Sequence, residues 1–254
     1  PGAPRAHAPP PAHTPARVAA AHASHRLYNA LLTELGQDPV EVEDEYVEWG
    51  EFGIAPANEE RGVTSGHHIG LRAQSREQVD AFFARGVELG AEPDGEPGPR
   101  PEYGEQYYGA FLRDPDGGSI EAVHDSGVGT EGVVDHMSLG VGDFSAQQAF
   151  GRALMPLVGW EVRADDPDRL RIGDGKTSAI SWIDDGRPPT RGLHVGFFVE
   201  TAAEVHEFHR ALVAAGYEDD GGPGPRSEYS AGYYGAFVLD EDGNSYEVMT
   251  RVYS

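Results

Sequence analysis

Residues 98–123 read GPRPEYGEQYYGAFLRDPDGGSIEAV, and residues 224–249 read GPRSEYSAGYYGAFVLDEDGNSYEVM. The second copy begins at 224 where the first begins at 98, an offset of 126. Upstream the match continues without a gap to Thr64–Gly70 (TSGHHIG) and Thr190–Gly196 (TRGLHVG). Further back, HTPARVAAAHASHRLYNALL from His13 aligns with HMSLGVGDFSAQQAFGRALM from His136 at an offset of 123, so three extra residues of the second copy fall in a loop or strand around 155–175. An internal repeat decides the architecture before any single element does. Here it predicts two domains, 13–125 and 135–254, with a linker over 126–134 that holds the stretch SGVGTEG, and a disordered Pro/Ala-rich lead over 1–12.

Each copy divides again. In its later half a short strand (His194–Val199) precedes a helix opened by a capping box, Thr201 with Glu204, as Ser75 with Gln78 opens its counterpart. Val205, Phe208 and Leu212, or Val79, Phe82 and Phe83, give each helix one apolar face, and Gly216 or Gly90 ends it. Two strands follow, YYGAFVLD and SYEVMT around Asp240–Gly243, and YYGAFLRD and SIEAVHD around Asp114–Gly117. The earlier half repeats the order, with helices over 24–34 and 145–157. The fold class is therefore α+β: four βαβββ units forming two paired-unit domains with cup-shaped mixed sheets.

The 254 residues carry no cysteine, which excludes disulfides and thiolate metal sites and leaves His, Asp and Glu as the available ligands. A net charge of -24 repels phosphate backbones, so nucleic acid is excluded as a partner. No apolar run approaches the roughly 20 residues that span a bilayer. The lead lacks the apolar core of a signal peptide, so the expectation is a soluble cytoplasmic monomer or homodimer acting on a small molecule.

Side chains alternate along a strand. In HMSLGVG, Met137, Leu139 and Val141 point one way and His136 the other; in HVGFFV the apolar set opposes His194; in SYEVM, Tyr246 and Val248 oppose Glu247. His13, His68 and Glu121 hold the matching places in the first copy. A lone strand His or Glu is usually only solvated. Three at corresponding positions, duplicated, point to a metal site. Pro15 makes HTPARVAA a poor strand, so the second copy is expected to hold its ligands better.

The βαβββ units, the pattern F-x-x-D-x-D-G-x-x-x-E at Phe111–Glu121 and Phe237–Glu247, and the His at the start of the first and fifth strands resemble the vicinal oxygen chelate superfamily of glyoxalases, bleomycin-resistance proteins and dioxygenases. The resemblance covers nearly everything after residue 12. It implies a cup with ligands from its first, fifth and eighth strands: His13, His68 and Glu121 in one domain, His136, His194 and Glu247 in the other. It also implies a divalent ion (Fe, Mn, Zn, Ni or Co) with open positions, on which a substrate chelates through neighbouring oxygens.

Ring-cleaving dioxygenases place a catalytic Tyr where this chain has Phe111 and Phe237, and an upstream His where it has Pro225, Arg226 and Ser227. Glyoxalase I uses a further ligand from the strand before the second His; the second copy has Thr177, Ser178 and Ser181 there, and the first has Glu48 and Glu51, read as solvated edge charges. Lyase, isomerase or thiol-transferase chemistry is thus favoured, with bleomycin-type sequestration as the alternative. Of Tyr107 and Tyr108, and of Tyr233 and Tyr234, one of each pair must face the cup, where its hydroxyl would serve catalysis. Tyr103 and Tyr229 lie just upstream. Arg100 and Arg226 are read as surface loop residues and His67 as structural.

Overall fold

The computed structural model describes residues 11–41, 46–59, 61–125, 132–175 and 178–252. Residues 1–10 of the expected lead, 126–131 of the expected linker and Thr177 lie outside them. The first unit comprises β1 (Pro11–Val18), α1 (Ala21–Glu34), β2 (Val40–Glu41), β3 (Val47–Trp49) and β4 (Phe52–Pro56). The second comprises β5 (His67–Arg72), α2 (Arg76–Glu88), β6 (Glu92–Pro99), β7 (Tyr108–Arg113) and β8 (Ser119–His124). The third comprises β9 (Val134–Gly140), α3 (Phe144–Val158), β10 (Glu161–Asp166), β11 (Arg169–Gly173) and β12 (Ala179–Ile183). The fourth comprises β13 (His194–Phe198), α4 (Ala202–Ala214), β14 (Glu218–Pro225), β15 (Tyr233–Leu239) and β16 (Ser245–Arg251). Within each unit the first strand lies parallel to the last.

Units pair across the repeat rather than along it. One eight-stranded sheet runs β14-β15-β16-β13-β1-β4-β3-β2, joining the fourth unit to the first; the other runs β10-β11-β12-β9-β5-β8-β7-β6, joining the third to the second. The seams are antiparallel, β1 against β13 and β5 against β9. Two connectors carry the chain between sheets and bond to each other where they cross. Ser65 and Arg191 exchange backbone hydrogen bonds, the Thr64 hydroxyl donates to the Gly192 carbonyl, and the Thr190 hydroxyl donates to that of Gly66.

The apolar alternation expected of β5 and β9 is present: Ile69 faces Met137 across their seam and both are buried. On the helical side α1 packs on α2 and α3 on α4, and one continuous core takes in residues of both sheets. Thr201 and Glu204 form the expected capping box, and the Ser75 side chain accepts from the Gln78 backbone. Asp143 caps α3, and Gly159, at φ 75°, closes it in the left-handed conformation that glycine adopts without strain.

The βαβββ count holds, and the structure supplies the strand that the sequence did not locate in the second and fourth units. β6 and β14, whose EPDGEPGP and EDDGGPGP carry neither alternation nor β-branched residues, form outer edges with bulges, where Pro and Gly are tolerated. Pro15, expected to weaken its strand, lies inside β1. The ladder to β13 ends at His13, so the backbone position where Pro15 lacks a donor needs no partner, and the Arg17 N–H on the same side donates to the Thr64 hydroxyl oxygen instead.

The D-x-D-G turn fixes the strand that carries each glutamate. The buried carboxylate of Asp240 accepts from the backbone of Asp242 (3.0 Å) and Asn244 (2.8 Å), and from the Asn244 amide (3.0 Å). Asp114 does the same for Asp116 and Gly118 and takes the Tyr28 hydroxyl at 2.6 Å. Leaving such donors unmet costs roughly 1–3 kcal/mol each. Asp240→Ala should therefore lower unfolding stability in urea by about 3 kcal/mol, and a loss below 1 kcal/mol would contradict this role.

Candidate functional site

Seam pairing decides which candidate ligands meet. Near one seam His13 of β1 and His194 of β13 converge with Glu247 of β16; near the other, His136 of β9 and His68 of β5 converge with Glu121 of β8. All six expected residues lie in these two clusters, but the grouping differs from the expectation. His136 does not join His194 and Glu247, and His13 does not join His68 and Glu121, because each first-strand histidine serves the cup of a unit from the other half of the chain.

In the second cup His68 Nε2 lies 3.1 Å from Glu121 Oε2 and 3.2 Å from His136 Nε2, with 3.5 Å from His136 Nε2 to the same carboxylate oxygen. In the first the corresponding separations are 3.3, 3.1 and 3.2 Å. Donors about 2.1 Å from a shared ion lie roughly 3.0–3.4 Å apart, so both clusters have the spacing of a metal's inner shell. Burial lowers the pKa of His68 and of His194, which keeps those imidazoles neutral and their lone pairs available. Burial would raise Glu247, but bonds from His13 and His194 outweigh it and bring its carboxyl to about 2.

Room for the rings comes from glycine. A Cβ on Gly70 would strike the His136 ring and one on Gly196 the His13 ring; Gly109 and Gly235 clear the Glu121 and Glu247 carboxylates in the same way. Sequence reading passed over these four, although Gly70 and Gly109 recur as Gly196 and Gly235 at the repeat offset.

The cups differ in what stands behind the triad. His136 Nδ1 lies 2.9 Å from Asp135, and Asp135 is paired to the buried guanidinium of Arg72 at 2.8 Å. Burial opposes charge on His136, but the Asp135 bond and the Glu121 charge outweigh it and raise its pKa. An acceptor at Nδ1 turns Nε2 toward the cup as the free nitrogen. His68 is held likewise by Ser119 at 2.9 Å. In the first cup the residue before His13 is Ala12, which offers no side-chain acceptor. A cavity of about 1320 Å³ opens over the Glu121 cluster.

A family model for the Glyoxalase/Bleomycin resistance protein/Dioxygenase superfamily matches residues 2–122 and 134–248. The chain belongs to this superfamily. Glyoxalase I from Zea mays is similar in structure over 94% of this chain and 92% of its own, with a TM-score of 0.66 at 18% identity. A putative dioxygenase from Bacillus subtilis is similar over 96% and 86%, with a TM-score of 0.61 at 14% identity. No curated protein matches the chain significantly in sequence. These structural likenesses establish a shared fold, and the superfamily's name leaves its reactions open.

Alternation sorts the tyrosines of this superfamily member. Tyr107 donates to Glu121 and Tyr233 to Glu247, both at 2.8 Å, whereas Tyr108 reaches Asp80 of α2 and Tyr234 reaches His206 of α4. Tyr108 and Tyr234 are therefore helix-side residues and not catalytic candidates. Burial and the adjacent carboxylate push the Tyr107 and Tyr233 hydroxyls far above the ordinary phenol value, which makes them donors and not bases. Glu51, expected to be solvated, accepts from the Val133 backbone at 2.7 Å, and Glu48 takes the Tyr46 hydroxyl. Arg100 and Arg226 lie over the rings of Phe111 and Phe237, bracing aromatic residues beside His68 and His194. His67 lies with Ile69 and Leu71 on the strand face opposite His68 and is buried.

Proposed function

We propose that this protein is a metal-dependent enzyme whose principal centre is the Glu121 cup, acting on a small substrate that chelates the ion through neighbouring oxygens. The observation that carries the reading is the convergence of two imidazole nitrogens and one carboxylate oxygen within 3.1–3.5 Å below a 1320 Å³ cavity. His13, His194 and Glu247 would hold a second ion. A divalent ion so held supplies Lewis acidity toward an enolate or oxyanion. Within the chain, Asp135 and Ser119 orient the two imidazoles, and Tyr107 fixes one oxygen of Glu121 so that the other faces the cluster.

Phe111, with its ring 5.9 Å from that of His68, occupies the place where ring-cleaving relatives resemble one another in having a tyrosine, so proton-transfer help for dioxygen chemistry is missing there. Lyase, isomerase or thiol-transferase reactions fit better. Elemental analysis should find bound divalent metal that chelator strips, and turnover of 2-oxoaldehyde hemithioacetals, thioester epimerisation and thiol addition to epoxides should be assayed with and without it. Protein free of metal after incubation with Mn, Co, Ni, Zn and Fe(II) would overturn the reading. Ligand binding that survives chelation would favour sequestration instead.

A further inference from the structure

Strand register places residues of opposite charge at equivalent positions of the two cups. Two residues beyond His136, Ser138 pairs with Ser181, and Ser181 with Arg171. Two residues beyond His13, Pro15 pairs with Gly53, and Gly53 with Glu48. One step further along the same strands, Arg169 answers to Tyr46. The wall facing the Glu121 triad thus reads Arg-Leu-Arg and the wall facing the Glu247 triad reads Tyr-Val-Glu.

The arginines of the Glu121 cup are not alike. Of 19 Lys and Arg in a chain of net charge -24, five line this cavity: Arg113, Arg163, Arg169, Arg171 and Arg187. Four face a carboxylate: Arg113 Asp94 (2.7 Å), Arg163 Glu161 (3.7 Å), Arg169 Asp166 (2.6 Å) and Arg187 Asp185. The Arg171 side chain, mid-strand between buried Leu170 and Ile172, makes no hydrogen bond or direct ion pair among the described residues, and its charge reaches Asp135 and His136 only at longer range. An acidic chain with carboxylates to spare thus leaves one guanidinium of the cavity lining without a direct ion pair. In the other cup Glu48 is satisfied by the Tyr46 hydroxyl, which lies over Gly53.

We propose that Arg171 is the specificity residue of the Glu121 cup, recognising an oxyanion at the far end of a substrate whose near end chelates the ion, and that the Glu48 cup lacks this recognition. The proposal rests on the metal reading above and adds to it the charge of the substrate. β11 lies two strands from β9, roughly 10 Å between backbones, a span that a four- to six-carbon chain and the arginine side chain bridge together. The planar fork of arginine takes carboxylate or phosphate oxygens in pairs.

Calorimetric titration of Co(II)-treated protein with 2-oxoglutarate, with 2-oxopentanoate, which lacks the distal carboxylate, and with 2-oxo-4-phosphonobutyrate tests this. Expected is at least a tenfold preference for the distal anion with one such site per chain; the phosphonate arm tells which oxyanion fits better. Arg171→Gln should erase the preference while leaving 2-oxopentanoate binding and cobalt content intact. Arg171→Lys should keep part of it, and Glu48→Gln all of it. Absence of a preference in the wild type, or its survival in Arg171→Gln, overturns the proposal whatever the cobalt content. Failure to bind cobalt overturns the metal reading alone if the preference persists, and both if neither acid binds.

Discussion

Glu121→Ala should abolish most of the activity and the tighter metal site, and Glu247→Ala only the smaller part. His136 is placed by a seam that pairs it with Gly70 within five register pairs, and its ring is set by Asp135 and Arg72. Among the described residues His13 is placed by a seam with two register pairs and a shift between them, whereas the shift in the His136 seam comes only after the Gly70 pair, at Leu71. A partner that orients a ligating imidazole is worth about 10–100-fold in metal affinity. Ordering one loosely held residue costs roughly 1–2 kcal/mol, close to another tenfold. The order of the two mutants is the reverse of what the sequence alone implies. The strand argument for His136 stands, but its glutamate is Glu121. Cobalt titration and turnover of the two single mutants decide it: equal losses, or a larger loss in Glu247→Ala, would refute the ranking. Asp135→Ala should lower cobalt affinity by about 10–100-fold, with no counterpart mutation available beside His13.

What the sequence makes legible is what repeats. Alternation in HMSLGVG and HVGFFV, the capping pairs at Ser75 and Thr201, and the D-x-D-G turns each bear a local physical signature, and each is found where expected. β6 and β14 left no such signature, because an edge strand buries little and need not alternate. Unit pairing is illegible for a different reason. The four units share one pattern, so His13 is as good a match for His68 as for His194, and nothing local to either strand tells them apart. The choice is made by the connectors, where Thr64 and Thr190 are buried and bonded to the opposite crossing, sending each half's second unit to the other sheet. The same constancy that hid the pairing did mark the glycines, since a position kept empty in both copies beside a histidine strand signals a ring that needs the space.

Neither half of the chain should fold as a monomer. Residues 11–125 and 132–252 each supply one unit to each sheet, so separation cuts both seams and splits both triads. Ile69, Leu71, Met137, Leu139, Val195 and Phe197 are almost fully buried at the seams. Complete burial of such a side chain is worth roughly 1.5–3 kcal/mol, and forfeiting half of it at six positions removes about 5–9 kcal/mol. That is comparable with the whole stability of a domain, about 5–15 kcal/mol. Each half also exposes two seam strands with unpaired edges, which favour pairing with another chain. Two copies of the first half can satisfy one another by setting β1 of one against β5 of the other, which would reunite His13 with His68 and Glu121 across chains. Sedimentation and circular dichroism of each half should therefore show either an unfolded chain or a dimer whose stability rises with concentration, and the two halves mixed should assemble one to one with both metal sites restored. A half that is folded, monomeric and unfolds independently of concentration would contradict the cross-paired sheets.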